Sequence, residues 1–222
     1  MIAILQLPIE VPRGEVLRYM GYPRSKSPSP GVLARVNGLW PLAQRLVDGR
    51  GAFVLAGKAD ALTVGMPSPS ERVAFGVCTA GPGLEEEVDR RTAAGEMLEA
   101  LILDAFGSAA AEAAADALQA RVCAAVQADA LTASRRVSPG YGTWHVERQA
   151  DLLARLPAAQ LGISLTEGSM MIPRKSVSFA AVLTQARQGR SRHRCAACDL
   201  VDCRYRRDDD RGRGAKEDTD AT

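Results

Sequence analysis

A fixed cation, a Pro-Gly turn and an aromatic ring fall within six residues at Arg136-Val-Ser-Pro-Gly-Tyr141. Such a set suits a small anionic or zwitterionic ligand held against backbone groups. Arg136 offers a planar fork matched to a carboxylate. Pro139 fixes φ and Gly140 permits a left-handed or otherwise strained turn, so the chain can wrap closely around a ligand. Tyr141 adds an aromatic face and a hydroxyl. The bland alternative for these residues alone is a surface loop with a stray Arg.

A second set lies upstream. Ser108, Glu112 and Asp116 are spaced four apart, so on a helix they line one face, with Gln119 and Cys123 nearby. Alanines surround them from Ala109 to Ala117, which lets a ligand or another backbone approach and could set Glu112 opposite an ammonium group. On periodicity alone the plainer reading is a solvated polar stripe. A third set is Cys195, Cys198 and Cys203, spaced C-x2-C-x4-C. Three thiolates suit Zn²⁺, with His193 as the candidate fourth ligand, or an iron–sulfur cluster, or free redox thiols. Cys78 and Cys123 stand alone in apolar surroundings and read as buried thiols.

These residues need elements to position them. Ile2 to Leu7 reads as an opening strand ended by Pro8, and Glu15 to Met20 as a short helix stopped by Gly21. Leu33 to Val47 turns helical at its end, with Pro41 in the first helical position. Ala52 to Val64 reads as strand, turn and strand about Gly57-Lys58, and Val73 to Thr79 as a further strand. From Leu84 to about Ala130 the pattern is helical, with Met97, Leu98, Leu101, Ile102, Ala105 and Phe106 at helical spacing. Gly95 and Gly107 predict breaks in it. Gln149 to Leu156 is a helix closed by Pro157. Strands follow at Ile163–Leu165, Met170–Ile172 and Ser176–Val182. Strands, long helices, then strands predict an α+β fold with an antiparallel sheet.

Composition narrows the function classes. The 222 residues are 46% hydrophobic and only 5% aromatic, so the core is built mainly of Ala, Val and Leu. A net charge of +2 gives no bulk argument for nucleic acid. No apolar run is long enough for a membrane span and no secretory leader is evident, which predicts a soluble cytoplasmic protein. Residues 187–207 carry seven Arg against Asp199 and Asp202, a docking surface for an acidic partner such as a flavodoxin-like reductant or simply a solubilising segment. Residues 208–222 are polar and read as a disordered tail. The expected organisation is a domain over 1–186, a basic Cys-containing segment over 187–207 and that tail.

Arg136-x-x-x-Gly140-Tyr141, Leu161-Gly-Ile-Ser-Leu-Thr-Glu167 and Pro173-x-x-Ser176-Val-Ser178 together closely resemble the S-adenosylmethionine-binding activation domain of cobalamin-dependent methionine synthase. Leu103-Asp-Ala-Phe-Gly-Ser-Ala-Ala-Ala-Glu112 is similar to the long helix of that family, and the likeness is good over residues 95–183. Tyr141-Gly-Thr-Trp-His-Val-Glu-Arg-Gln149 and the C-terminal Cys cluster look more like free-standing members than the fused domain. The resemblance implies a helmet-like α+β domain, a twisted antiparallel sheet with long helices against it. It implies that Arg136 holds the carboxylate of S-adenosylmethionine and Glu112 lies near its amino group. Ser138 would contact the nucleoside through its backbone, Gly140 would form the turn and Tyr141 would lie near the sulfonium.

The implied task is reductive methylation of cob(II)alamin on a methionine synthase lacking its own activation domain, or on another corrinoid protein. The chain would then be an accessory component, not a complete methyltransferase. Two alternatives stay open: a non-catalytic module or chaperone for a corrinoid protein, and a small metal or redox element acting through the Cys cluster. Two positions depart from the fused form. Ala181 stands where an aromatic ligand contact is expected, and Gly142-Thr-Trp-His145 replaces a Cys-Pro-x-His run, leaving His145 as a proton carrier or an ordinary half-buried histidine.

Overall fold

A computed structural model describes residues 2–22, 26–67 and 69–185. Its centre is set by the alanine-rich stretch, which forms one helix, α5, over Met97–Val126. Small side chains on several faces let this helix be buried from more than one direction at once. Leu103, Ala105, Phe106, Ala109 and Ala110 pack with Val16, Ala43 and Leu84. These partners come from three other helices, α1 over Arg13–Tyr19, α2 over Pro30–Leu46 and α4 over Gly83–Ala93. Further along, Ala114, Ala115 and Leu118 pack on Cys78, Phe179 and Ala181 of the sheet, and Val122 and Val126 on Ala74 and Leu183.

The sheet joins β1 over Leu5–Gln6, β2 over Arg50–Gly57, β3 over Arg72–Thr79, β7 over Ser176–Gln185 and β4 over Leu131–Ala133. The order is β1-β2-β3-β7-β4 with every pairing antiparallel, as the α+β reading expects. The central strand β3 is buried at all but its first residue because both faces are covered. Alternate residues of β3 and β7 face α5. On the opposite face Val73, Phe75, Val77 and Ala180 form a second core with Trp144, Leu152, Leu161 and Ile163. The helix α6 over Gln149–Leu153 belongs to that layer, and the small hairpin of β5 (Ser164–Leu165) and β6 (Met171–Ile172) adjoins it.

Gly76 shows how tight the α5 face is. It lies opposite Phe179, and a Cβ built on it would meet three atoms of that ring at 2.5, 2.8 and 3.0 Å. Phe179 is fully buried and has nowhere to retreat. Gly76→Ala should therefore destabilise the protein by about 1–3 kcal/mol, read as a lower urea midpoint at unchanged slope. A midpoint equal to that of the parent would show that the ring can shift.

Several sequence expectations are corrected. Lys58 to Val64 is not a return strand but a short helix, α3 over Lys58–Thr63. The Asp60 carboxylate accepts the Gly57 N–H at its start, and the Arg148 guanidinium caps its end through the carbonyls of Thr63 and Val64. Pro41 does not open α2. Ser29 caps that helix by accepting the Val32 N–H, Pro30 takes the first turn, and Pro41 lies inside. Burial of Val36 and Ala43 on either side of Pro41, and the edge-to-face contact of Trp40 with Phe106 at 4.9 Å, outweigh the lost hydrogen bond.

Gly95 does end α4, with φ at 78°, but α5 runs straight through Gly107. The Lys175 stem occupies the space beside Gly107, where a Cβ would meet its carbons at 3.0–3.2 Å. The helical pattern does reach about Ala130, since α5 is followed by a 3-10 turn over Gln127–Asp129. Ala130, with φ of 55°, then turns the chain into β4, a strand the periodicity did not reveal. The helix from Gln149 keeps regular α geometry only to Leu153 and continues to Pro157 as turns.

On α4, Glu87 is buried between Arg91, 2.7 Å away, and Arg90. Burial alone would raise its carboxyl, but the hydrogen bonds from the two guanidinium groups outweigh that and hold it below the usual carboxylate range. A carboxyl lowered on folding adds stability above its unfolded value, lost as pH falls through the folded one. Glu87→Gln should therefore flatten the fall in stability between about pH 5 and pH 3, measured by urea unfolding across that range. Parallel curves for parent and variant would refute this role.

Candidate functional site

Helical spacing puts Asp104, Ser108, Glu112 and Asp116 in one row along α5, with Gln119 just beyond. The row is not a freely solvated stripe. Two cations from the sheet side dock on it. Lys175, at the entry to β7, places Nζ 2.7 Å from Asp104 Oδ1 and donates to Ser108 Oγ at 3.0 Å. Arg136, beyond β4, donates through Nη1 to Gln119 Oε1 at 2.9 Å, and that nitrogen lies 2.8 Å from Asp116 Oδ1. Its Nη2 reaches Glu112 Oε2 at 3.4 Å. The guanidinium lies 5.8 Å from the centre of the Phe179 ring, and the side chain is only 10% exposed. The backbone is fixed just beyond, where Val137 and Ala180 exchange N–H···O bonds of 2.9 and 2.8 Å.

Beside this cluster runs a groove of about 280 Å³ between α5 and the Pro8–Pro12 segment. Ala109 and Ala113 line it with small side chains, while Glu10, Glu15, Glu112 and Asp116 bring four carboxylates. Two guanidinium groups face these four: Arg18, bonded to Glu15 at 2.7 and 3.1 Å, and Arg136, paired with Glu112 and Asp116. Tyr19 feels the same field: burial first, then the Glu112 charge, pushes its phenol above the ordinary value. The groove therefore favours a ligand bearing positive charge, with Arg136 beside it for an anionic end.

The turn after Arg136 is built as its residue types predict. Ser138 is buried and its hydroxyl donates to the Ser178 carbonyl at 2.7 Å, while Ser178 Oγ donates to Gln149 Oε1 at 3.0 Å. The Ser138 side chain thus serves the fold. Gly140 has φ at 91°, and its N–H donates to the Trp144 carbonyl at 2.7 Å. Tyr141 projects from the turn with 64% of its surface exposed. The structure brings Glu112 and Arg136 into direct contact, whereas Ser138, Gly140 and Tyr141 form the turn that follows.

Three expectations change here. Ala181 does not face the groove. It is fully buried against α5, among Ala114, Ala115 and Leu118, so close helix–sheet packing sets its size. His145 is exposed, not half-buried, and the buried member of that run is Trp144. Cys123 is half-buried, while Cys78 is fully buried, which pushes its thiol up to about 12. Sequence reasoning missed Lys175, Tyr19 and the carboxylates of Glu10 and Glu15. No local pattern points to them, because they meet α5 only through the fold.

Among the described residues, no group of three or more His, Cys, Asp or Glu is arranged to hold a metal ion. Cys195, Cys198, Cys203 and His193, the basic segment and the polar tail lie outside the described residues. Among the described residues no helix is long and apolar enough to cross a membrane.

The features above define a class: an α+β domain with a five-stranded antiparallel sheet, a long central helix and a charged groove along that helix. Residues 59–188 match the family described as vitamin B12 dependent methionine synthase, activation domain. The chain belongs to that family. A solved structure described as the crystal structure of the MetH reactivation domain bound to AdoHcy has the same fold, with a TM-score of 0.60 and 14% identity. The alignment covers 86% of this chain and 81% of that one. No curated protein sequence matches the chain.

Proposed function

We propose that this domain binds S-adenosylmethionine in the groove along α5 and supports reductive methylation of cob(II)alamin carried by a corrinoid-binding partner. The observation that carries the reading is the pair formed by Arg136 and Glu112, 3.4 Å apart at the edge of an acidic groove. An amino acid presents a carboxylate and an ammonium on one carbon, and a guanidinium beside a carboxylate is complementary to both. The remaining carboxylates suit the extra positive charge of a sulfonium. Family membership and the fold shared with an AdoHcy-bound domain support the same ligand class.

In this reading Arg136 orients the carboxylate, Glu112 the ammonium, and the backbone of the Ser138–Gly140 turn the nucleoside, with Tyr141 at the methyl end. The bound ligand supplies an electrophilic methyl group. Cobalt(II) takes one electron from a reductant, flavodoxin-like in the simplest case, and the resulting cobalt(I) takes the methyl cation, leaving S-adenosylhomocysteine. The protein contributes position alone, and no side-chain acid or base is required.

The test is spectroscopic: a cob(II)alamin-loaded corrinoid partner, a one-electron reductant and S-adenosylmethionine, with and without this protein. Formation of methylcobalamin only when the domain is present is expected. Equal rates in both mixtures would reduce the domain to a passive binding module.

A further inference from the structure

The cation assigned to the ligand carboxylate is already held by protein carboxylates, and the two differ in a useful way. Asp116 Oδ1 lies 2.8 Å from Arg136 Nη1, whereas Glu112 stands off at 3.4 Å from Nη2. A further partner, Gln119, is neutral and tied in place, its Nε2 donating to the Ser134 carbonyl at 2.9 Å. Gln119 can keep its bond while anions come and go. Asp116 has 63% of its side chain exposed, so it can leave Arg136 for water at little cost.

We propose that Asp116 is an internal competitor for Arg136, a latch that a ligand carboxylate must displace and that lowers affinity for carboxylate-bearing ligands. The inference rests on the reading of Arg136 as the ligand's carboxylate clamp. With Glu112 turned to the ligand ammonium, a ligand carboxylate added beside Asp116 would leave two carboxylates sharing one largely buried guanidinium. Exchange therefore replaces addition. Glu112, the looser partner, turns to the ligand ammonium, while Asp116 yields its place and moves to solvent. Lying on the groove wall, it then still attracts cations at longer range.

Calorimetric titration of the wild-type protein, Asp116→Asn and Asp116→Ala with S-adenosylmethionine and with its decarboxylated analogue tests this. Both variants should bind S-adenosylmethionine about fivefold tighter than the wild type. They should bind the decarboxylated analogue equally well or more weakly, since that ligand has nothing to exchange and the groove has lost a negative charge. A loss of affinity for both ligands, or a parallel gain for both, overturns the latch. Equal binding of S-adenosylmethionine by all three proteins overturns the latch but leaves the ligand assignment standing. No binding by any of them overturns the assignment and the latch together.

Discussion

Arg136→Ala is expected to weaken S-adenosylmethionine binding by about 2–3 kcal/mol, roughly 30- to 150-fold in Kd, while leaving the fold intact. The guanidinium is the cation paired with Glu112 at the groove's edge, and charge-assisted bonds in a largely buried setting are the strong ones. Removing it also leaves Glu112 and Asp116 without this counter-charge, which makes a ligand carboxylate less welcome still. Stability should change far less. Both carboxylates are well exposed, at 41% and 63%, and water can solvate them. Arg136→Lys should restore only part of the affinity, because an ammonium keeps the charge but loses the planar fork that reaches Gln119 and Glu112 together. Calorimetry beside thermal melts checks both halves. Undiminished binding by Arg136→Ala would remove the clamp, and a collapse of the melting temperature would make Arg136 a structural residue instead.

The second large effect is expected from Trp144→Ala, about 3–5 kcal/mol of lost stability. Trp144 is 2% exposed, packs in the core with Val64, Phe75, Leu152 and Leu161, and donates its indole N–H to the Val64 carbonyl at 3.0 Å. It therefore joins α3, the sheet and the layer of α6 at one point. Its own carbonyl accepts the Gly140 N–H, so the turn that carries Tyr141 hangs from the same residue. Trp144→Phe should cost about 1–2 kcal/mol, since the ring volume largely survives and the Arg148 guanidinium still reaches the Val64 carbonyl. Urea unfolding of both variants provides the check. A Trp144→Ala protein within about 1 kcal/mol of the parent would show that this layer contributes little to the fold.

Arg136 and Trp144 differ in how much of their setting a linear chain records. The Arg136-to-Tyr141 turn is encoded locally: a Pro, a Gly that takes positive φ, and a cation within six residues. The four-residue spacing of Ser108, Glu112 and Asp116 is local too, since one helix suffices to align it. Strand β7 and the hairpin before it follow from alternating apolar residues and turn signals. In each case the information lies within a few residues, where backbone stereochemistry decides the outcome.

Trp144 is different. Nothing near it in the chain indicates that its indole meets a carbonyl eighty residues earlier. The same holds for α3, where residues of strand-like composition form a helix because Asp60 and Arg148 satisfy its ends and Ala61 and Val64 fill the core. Gly107 fails as a helix breaker because Lys175, distant in sequence, packs where its side chain would be.

The sequence alone thus determined the family resemblance, the antiparallel α+β plan and the residues at the two halves of the proposed clamp. Only the tertiary structure decided that Arg136 rests between Glu112, Asp116 and Gln119, that Lys175 anchors the same row, and that Ala181 belongs to the core. The reason is physical. Periodicity and turn chemistry are set by neighbours along the chain, whereas the partner of a charge is set by how β7 and the segment after β4 lie across α5. That arrangement depends on packing summed over the whole domain, so no short stretch of residues records it.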